Sequence, residues 1–250
     1  MMPPDTIHKL RDFRSELYML FGKRADALFE LCDAALTAGL SPSMAYLSLQ
    51  SVHRRGWGSL YAALAEGQIN TELLRSLLAR HPLADGQPIY AVDVTTWPRC
   101  DAEASPDRGF YYHPSRHSAG QPIVAGWAYQ LISQLGFARD SWTAPMDARR
   151  LHPSEEDSAV AVSQIKGLIA RLPAQETVPW FVFDTGYNSV ELAEGLRDTP
   201  VALLVRLRSD RCFYADPPSP KKGAGRPRRH GAKDSSKNDS PFWEVTGCLT

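Results

Sequence analysis

This 250-residue chain offers no ready-made cofactor or cross-link framework. Its four cysteines, Cys32, Cys100, Cys212 and Cys248, lie far apart and form no C-x-x-C pair. Neither a zinc ribbon nor a disulfide scaffold is therefore supported, and a reducing cytoplasm is the default expectation. There is no G-x-S-x-G nucleophile turn and no G-x-x-x-x-G-K-[ST] phosphate loop. The start, Met-Met-Pro-Pro-Asp, lacks a basic segment followed by an apolar one, and no stretch approaches the roughly 18 apolar residues a membrane span needs. Excess charge is missing too: Lys plus Arg equals Asp plus Glu at 28 each. The whole molecule exerts no net pull on a polyanion, so any such site must be local.

What is present is an ordinary globular composition, 43% hydrophobic and 22% charged, enough for one large domain or two smaller ones with a core. From Thr6 to about His81 apolar residues such as Leu17, Leu20, Phe21, Leu28 and Leu31 recur near the helical period. Four or five helices are expected over 1–81. One would start at Ser41-Pro42. Another would be capped by Asn70 or Thr71 and would bury Leu73, Leu74, Leu77 and Leu78. This region can serve as a DNA-binding head through Arg54, Arg55, Arg75 and Arg80, although their scatter favours a solvated face.

A Pro- and Gly-containing linker, 81–87, leads to the first of two similar runs. Pro-Ile-Tyr-Ala-Val-Asp-Val-Thr-Thr-Trp spans 88–97, and Pro-Trp-Phe-Val-Phe-Asp-Thr-Gly-Tyr-Asn spans 179–188. Each is a short apolar, β-branched or aromatic run ending in an aspartate. Such runs read as strands buried on both faces, which puts Asp93 and Asp184 near strand ends. An aspartate there also begins turns and caps helices, so either one alone says little. As a pair they say more, because two carboxylates converging in a cleft repel unless a cation lies between them, and hard oxygen donors suit Mg²⁺ or Mn²⁺.

Ile123 to Gln130 and Leu131 to Phe137 read as two further strands of a meander, Pro153 to Leu172 as a crossover helix, 189–197 as a helix, and Val201 to Leu207 as a fifth strand. The order is β-β-β-α-β-α-β. A right-handed crossover then gives a mixed sheet of order 3-2-1-4-5, with Asp93 and Asp184 on adjacent strands about 4.8 Å apart. His113 and His117 are four apart, but Pro114 argues against one helical face holding both. An aspartyl-phosphate hydrolase would want a second Asp two residues after Asp93, where Thr95 stands. Segment 210–250 changes character: Lys221, Lys222, Arg226, Arg228 and Arg229 are mixed with Pro, Gly and Ser, as in a basic arm that is either solvated or a phosphate contact.

Taken with Ala-Val-Asp-Val at 91–94, Ser-Pro-Asp-Arg at 105–108, Gly-Gln-Pro-Ile-Val-Ala-Gly-Trp at 120–127, Phe-Asp-Thr-Gly-Tyr at 183–187 and the Arg-rich elements beyond, the chain resembles bacterial insertion-sequence transposases of the DDE superfamily. The resemblance implies an α/β, RNase H-like catalytic core over 88–209, behind the helical region 1–81 and before the arm 210–250. It implies that Asp93 and Asp184 are the first two acids of a triad binding two Mg²⁺ (or Mn²⁺) ions. One ion would activate a water or a DNA 3′-hydroxyl, and the other would stabilise the leaving oxygen. Tyr187, Arg206 and Arg208 would position DNA, with Lys221, Lys222, Arg226, Arg228 and Arg229 on phosphates.

The resemblance further implies the terminal inverted repeats of a mobile element as partner and a cytoplasmic, nucleoid-associated location. It leaves homodimerisation open. The family's third acid has no counterpart here: Glu191 and Glu194 come too early, and Glu244 follows the basic arm. The expectation is therefore a C-terminally truncated transposase, inactive alone. The alternative is a DNA-binding protein without catalysis that uses the helical head and the arm.

Overall fold

In a computed structural model the described residues are 4–39, 43–83, 87–112, 123–137, 143–174, 176–208, 212–215, 217–218, 230–231 and 233–235. They form two compact units. The first is Met1–Ala84 with Gly136–Asp147 and Gly167–Glu176, and the second is Asp85–Leu135 with Ala148–Lys166 and Thr177–Thr250. Among the described residues no helix is long and apolar enough to cross a membrane.

The first unit holds α1 (Pro4–Met19), α2 (Ala25–Thr37), α3 (Met44–Leu47), α4 (Trp57–Glu66) and α5 (Thr71–Ala79). Ala34, Leu47 and Leu60 make a buried cluster with Leu31, Ala38 and Val52 around it. Asn70 caps α5, its Oδ1 accepting the Leu73 N–H at 3.0 Å, as the sequence leads one to expect. Ser41 and Pro42 lie outside the described residues, and the side chain that caps α3 is Ser43, whose Oγ accepts the Tyr46 N–H. In α5, Leu77 is fully buried but Leu73 is half exposed, so the buried stripe is narrower than expected. The four arginines considered as phosphate contacts are held in ion pairs within this unit. Arg54 and Arg55 face Glu30, Arg75 binds Asp147 at 2.6 Å, and Arg80 binds Glu16.

The second unit is built on a mixed sheet. The sheet's strands are β1 (Ile89–Pro98), β2 (Gly109–Tyr112), β3 (Ile123–Leu135), β4 (Thr143–Leu151, of which Ala148–Leu151 belong to the second unit), β5 (Trp180–Phe183) and β6 (Ala202–Val205). The order is β2-β3-β1-β5-β6, with β4 also pairing β3. β1 runs antiparallel to β3 and parallel to β5, which runs parallel to β6. The chain between them forms α6 (Asp157–Ile169) and α7 (Ser189–Gly195), and a short hairpin follows, β7 (Cys212–Tyr214) with β8 (Lys233–Ser235).

The expected 3-2-1-4-5 order is thus realised as β4-β3-β1-β5-β6, but with different elements in two places. Residues 123–135 are one long strand rather than two, and their burial alternates without a break. The third strand is instead Thr143–Leu151, which Pro145, Asp147, Arg149 and Arg150 disguise, since neither proline nor such charge is typical of a strand. β2 is an additional four-residue edge strand.

The even-numbered residues of β3 face the core. Ala128 packs with Leu151 of β4 and Val160 of α6, and Val94 and Tyr111 lie against them. Buried Gln130 bridges to the first turn of α6, donating to the Asp157 carbonyl and accepting from the Ala161 N–H. β3 approaches β1 so closely that a Cβ at Gly126 would lie 2.1 Å from the Trp97 carbonyl oxygen, so only glycine fits there.

Two of the motifs that carry the family resemblance meet in space. The Trp127 indole N–H donates to the Pro106 carbonyl at 3.3 Å, and the Arg150 guanidinium lies 4.9 Å from the Trp127 ring centroid. Arg108 donates to the carbonyls of Arg99 and Cys100, while Asp107, with φ 55°, sits 3.5 Å from His152. Together these contacts clamp the β1–β2 connection onto the sheet.

Candidate active site

Adjacent parallel strands in register deliver the two aspartates. Val92 pairs with Phe183, so the next residue on each chain segment, Asp93 on β1 and Asp184 just past β5, stands at the same level on neighbouring strands; Asp184 ends its strand as expected, but Asp93 lies midway along β1, which runs on to Pro98 paired with β3. Both are exposed, while Val92 and Phe183 beneath them are buried. Alternation explains this: the side chains before the acids anchor the strands in the core, and the acids point to the other face.

One oxygen of each carboxylate is tied to its own following backbone. Asp93 Oδ1 accepts the Val94 N–H at 2.8 Å, and Asp184 Oδ1 accepts the Gly186 N–H at 2.8 Å. A side chain at Gly186 would bring its Cβ to 3.1 Å from that Asp184 oxygen. The second oxygen of each acid has no hydrogen-bond partner among the described residues. Partial burial, and then the negative charge of Asp184, push the Asp93 carboxyl above the ordinary range, against the pull of the Val94 N–H. The pair therefore carries uncompensated like charge, which a cation would relieve.

The loop after Asp184 is anchored to the start of α6. The Asn188 N–H donates to Ser158 Oγ at 2.9 Å, and Asn188 Oδ1 caps α7 through the Val190 N–H at 3.1 Å. Between the two lies Tyr187, 5% exposed, with its ring T-shaped against Phe183 at a centroid distance of 5.0 Å. That burial removes Tyr187 from the set of DNA-positioning side chains. Burial first, then the charges of Asp157, Asp93 and Asp184, hold its phenol far above the usual range. Asp157, in the first turn of α6, is itself raised by burial and by Glu156. The sequence marks Asp157 only as an acid suited to a helix start. The Asn before Ser-Val-Glu-Leu was a readable cap signal, but the burial of Tyr187 had none.

Arg206 and Arg208 are exposed just past the end of β6. The Arg206 N–H donates to the Phe183 carbonyl at 3.0 Å, which sets Arg206 beside Asp184 at the same end of the parallel strands. His113, His117, Lys221, Lys222, Arg226, Arg228, Arg229 and Glu244 lie outside the described residues. Among the described residues no group of three His, Cys, Asp or Glu side chains is gathered to hold a metal ion. What Asp93 and Asp184 do provide is two free carboxylate oxygens, a donor set that fits a hard divalent cation.

A family model described as DDE superfamily endonuclease matches residues 16–245. No curated protein matches the chain.

Proposed function

The chain belongs to the DDE superfamily endonucleases, and on that premise we propose that it acts on DNA phosphodiesters through Asp93 and Asp184 with Mg²⁺ or Mn²⁺. The observation that carries this reading is the register of β1 and β5, which sets two exposed carboxylates side by side on adjacent parallel strands, Asp93 midway along β1 and Asp184 just past β5. When bound, the divalent cation supplies charge neutralisation at the phosphodiester and an activated oxygen nucleophile. The chain's own residues orient that chemistry. The Val94 and Gly186 N–H groups hold one oxygen of each acid and leave the other free to ligate. Arg206 and Arg208, exposed past β6, would hold backbone phosphates without reading sequence. The basic residues Lys221, Lys222, Arg226, Arg228 and Arg229 and the helical region 1–81 would extend that contact along the DNA, with mobile-element termini as the substrate class.

The test is strand cleavage of DNA carrying such termini in Mn²⁺, by the wild-type chain and by Asp93→Ala and Asp184→Ala, together with calorimetric titration of Mn²⁺ into each. Loss of both cleavage and Mn²⁺ binding in either variant is the expected result. Salt-sensitive DNA binding that needs no metal, with Mn²⁺ binding absent from the wild type, would overturn the catalytic reading in favour of a DNA-binding protein without catalysis.

A further inference from the structure

β1 outruns its parallel neighbour. Among the described residues it pairs with β5 only over Ile89–Val92, whereas it stays paired with β3 as far as Pro98. From Asp93 onward β1 and β3 therefore project as a two-stranded ribbon past the end of β5, and the acid pair lies where that ribbon leaves the sheet. Alternation puts Asp93, Thr95 and Trp97 on one face of the ribbon, and all three are exposed. Cross-strand pairing adds Tyr129, opposite Thr95, and Trp127, opposite Trp97, to the same face. The other face is the packed one, where Val94 lies against Ala128 and Val160 of α6.

Trp97 is 57% exposed, and its ring leans on Tyr129 at a centroid distance of 6.4 Å, tilted by 48°. Trp127 beside it is already engaged, its N–H by the Pro106 carbonyl and its ring by Arg150. The open aromatic surface is thus the Trp97 ring, backed by Tyr129. Four residues along a strand set it about 13 Å from Asp93, about four phosphate spacings of a stacked nucleic-acid strand. Arg99, two residues further on, lies 5.7 Å from the Trp127 ring centroid. Its ion pair with Asp101 is exposed, and so is weak enough to yield to a phosphate. Aromatic rings standing on a sheet hold nucleic acid by stacking on bases whose faces are free, which unpaired nucleotides offer and a closed duplex does not.

We propose that Trp97 stacks on an unpaired base of the DNA strand that runs past Asp93 and Asp184, so that the chain engages single-stranded DNA beside the acid pair. This rests on the reading of the chain as acting on DNA at that pair.

The experiment is fluorescence anisotropy of a labelled oligonucleotide, single-stranded or annealed to its complement, titrated with the full chain in the presence of a chelator. The wild type is compared with Trp97→Leu, Trp97→Phe and Phe110→Leu, each also melted thermally and sized by gel filtration. The wild type binds the single strand more tightly than the duplex. Trp97→Leu keeps apolar bulk but has no aromatic face, and it weakens single-strand binding about 5–100-fold with duplex binding unchanged. Trp97→Phe restores most of that loss. Phe110, 78% exposed on the edge strand β2, is an exposed ring outside the ribbon, and Phe110→Leu leaves single-strand affinity within about twofold. If Trp97→Leu binds the single strand like the wild type, if Phe110→Leu weakens it as much, or if Trp97→Phe restores nothing, the stacking proposal falls alone. It falls alone too if Trp97→Leu turns a dimer into a monomer while single-strand affinity holds, since the ring then serves a second copy of the chain. If the wild type binds neither form of DNA, the reading of the chain as acting on DNA falls and takes this proposal with it.

Discussion

Glu30 in the first unit and Asp93 in the second are both carboxylates, and their surroundings are opposite. Glu30 is 7% exposed and faces two arginines. The Arg54 N–H donates to its Oε2 at 3.1 Å, and the side chains of Arg54, Arg55 and His53 approach to 3.5, 3.6 and 3.8 Å. Asp93 is exposed and has another carboxylate for a neighbour, with no cationic side chain paired to it among the described residues. A buried acid that the chain itself neutralises is a structural element, because its charge is already answered. An acid pair left unneutralised where solvent reaches it has an electrostatic cost that only something from outside can relieve. The same residue chemistry thus divides between stability and function according to who supplies the countercharge.

The sharpest way to break that contrast is to neutralise each acid in turn. Asp93→Asn or Asp184→Asn should abolish Mn²⁺-dependent strand cleavage, a loss larger than the roughly 10–100-fold that an outer hydrogen bond is worth, while thermal stability holds or rises slightly as the like-charge repulsion disappears. Glu30→Ala should do the reverse. It removes the acceptor of the Arg54 N–H and the anion facing the Arg54 and Arg55 side chains, and should cost about 1–3 kcal/mol of unfolding free energy in a urea titration, with Mn²⁺ affinity unchanged. A Glu30 variant that lost metal binding but kept its stability would invert the comparison.

The contrast also explains what could be read from the sequence. Asp93 and Asp184 were legible because each follows a short apolar run, although only Asp184 comes at the end of its strand, while β1 continues past Asp93 to Pro98. The order 3-2-1-4-5 was legible because connection rules allow few alternatives. The long strand β3 was not, since a 13-residue run invites division when typical strands are half that length. Nor was β4, whose Asp147 is buried against Arg75, so that a strand residue is charged because of a partner distant in sequence. Tyr187 was legible as a residue but not as a buried one: past the end of a strand, alternation no longer fixes side-chain direction, and the loop's ties to Ser158 do. The ion pairs that occupy Arg54, Arg55, Arg75 and Arg80 depend likewise on long-range contacts.

A smaller effect sharpens the picture of the acid pair by pH. The folded-state pKa of Asp93 is raised, so the native chain holds that proton more tightly than the unfolded chain does. The contribution of Asp93 to stability therefore falls as pH rises from the unfolded value, about 3.9, through the raised folded value, and stays lower above it. Asp93→Asn removes that fall. Proton and cation compete for the same oxygens, so Mn²⁺ affinity should drop up to about tenfold per pH unit once pH descends below the folded value. This should be read by calorimetry at stepped pH, and an affinity flat across that window would show that Asp93 is not a ligand.

The smallest expected effect separates the loop's anchoring from the acid's orientation. Asn188→Ala removes the α7 cap, whose acceptor receives the Val190 N–H, and should lower stability by about 1 kcal/mol in a thermal melt. The backbone bond from Asn188 to Ser158 survives the change, as does the Gly186 N–H that orients Asp184. Mn²⁺ affinity should then move by less than about twofold, below the effect of an outer hydrogen bond. A tenfold loss instead would mean that α7, rather than the tight turn through Gly186, sets the direction of Asp184. The site would then depend on a seven-residue helix too short to form without its cap and its packing.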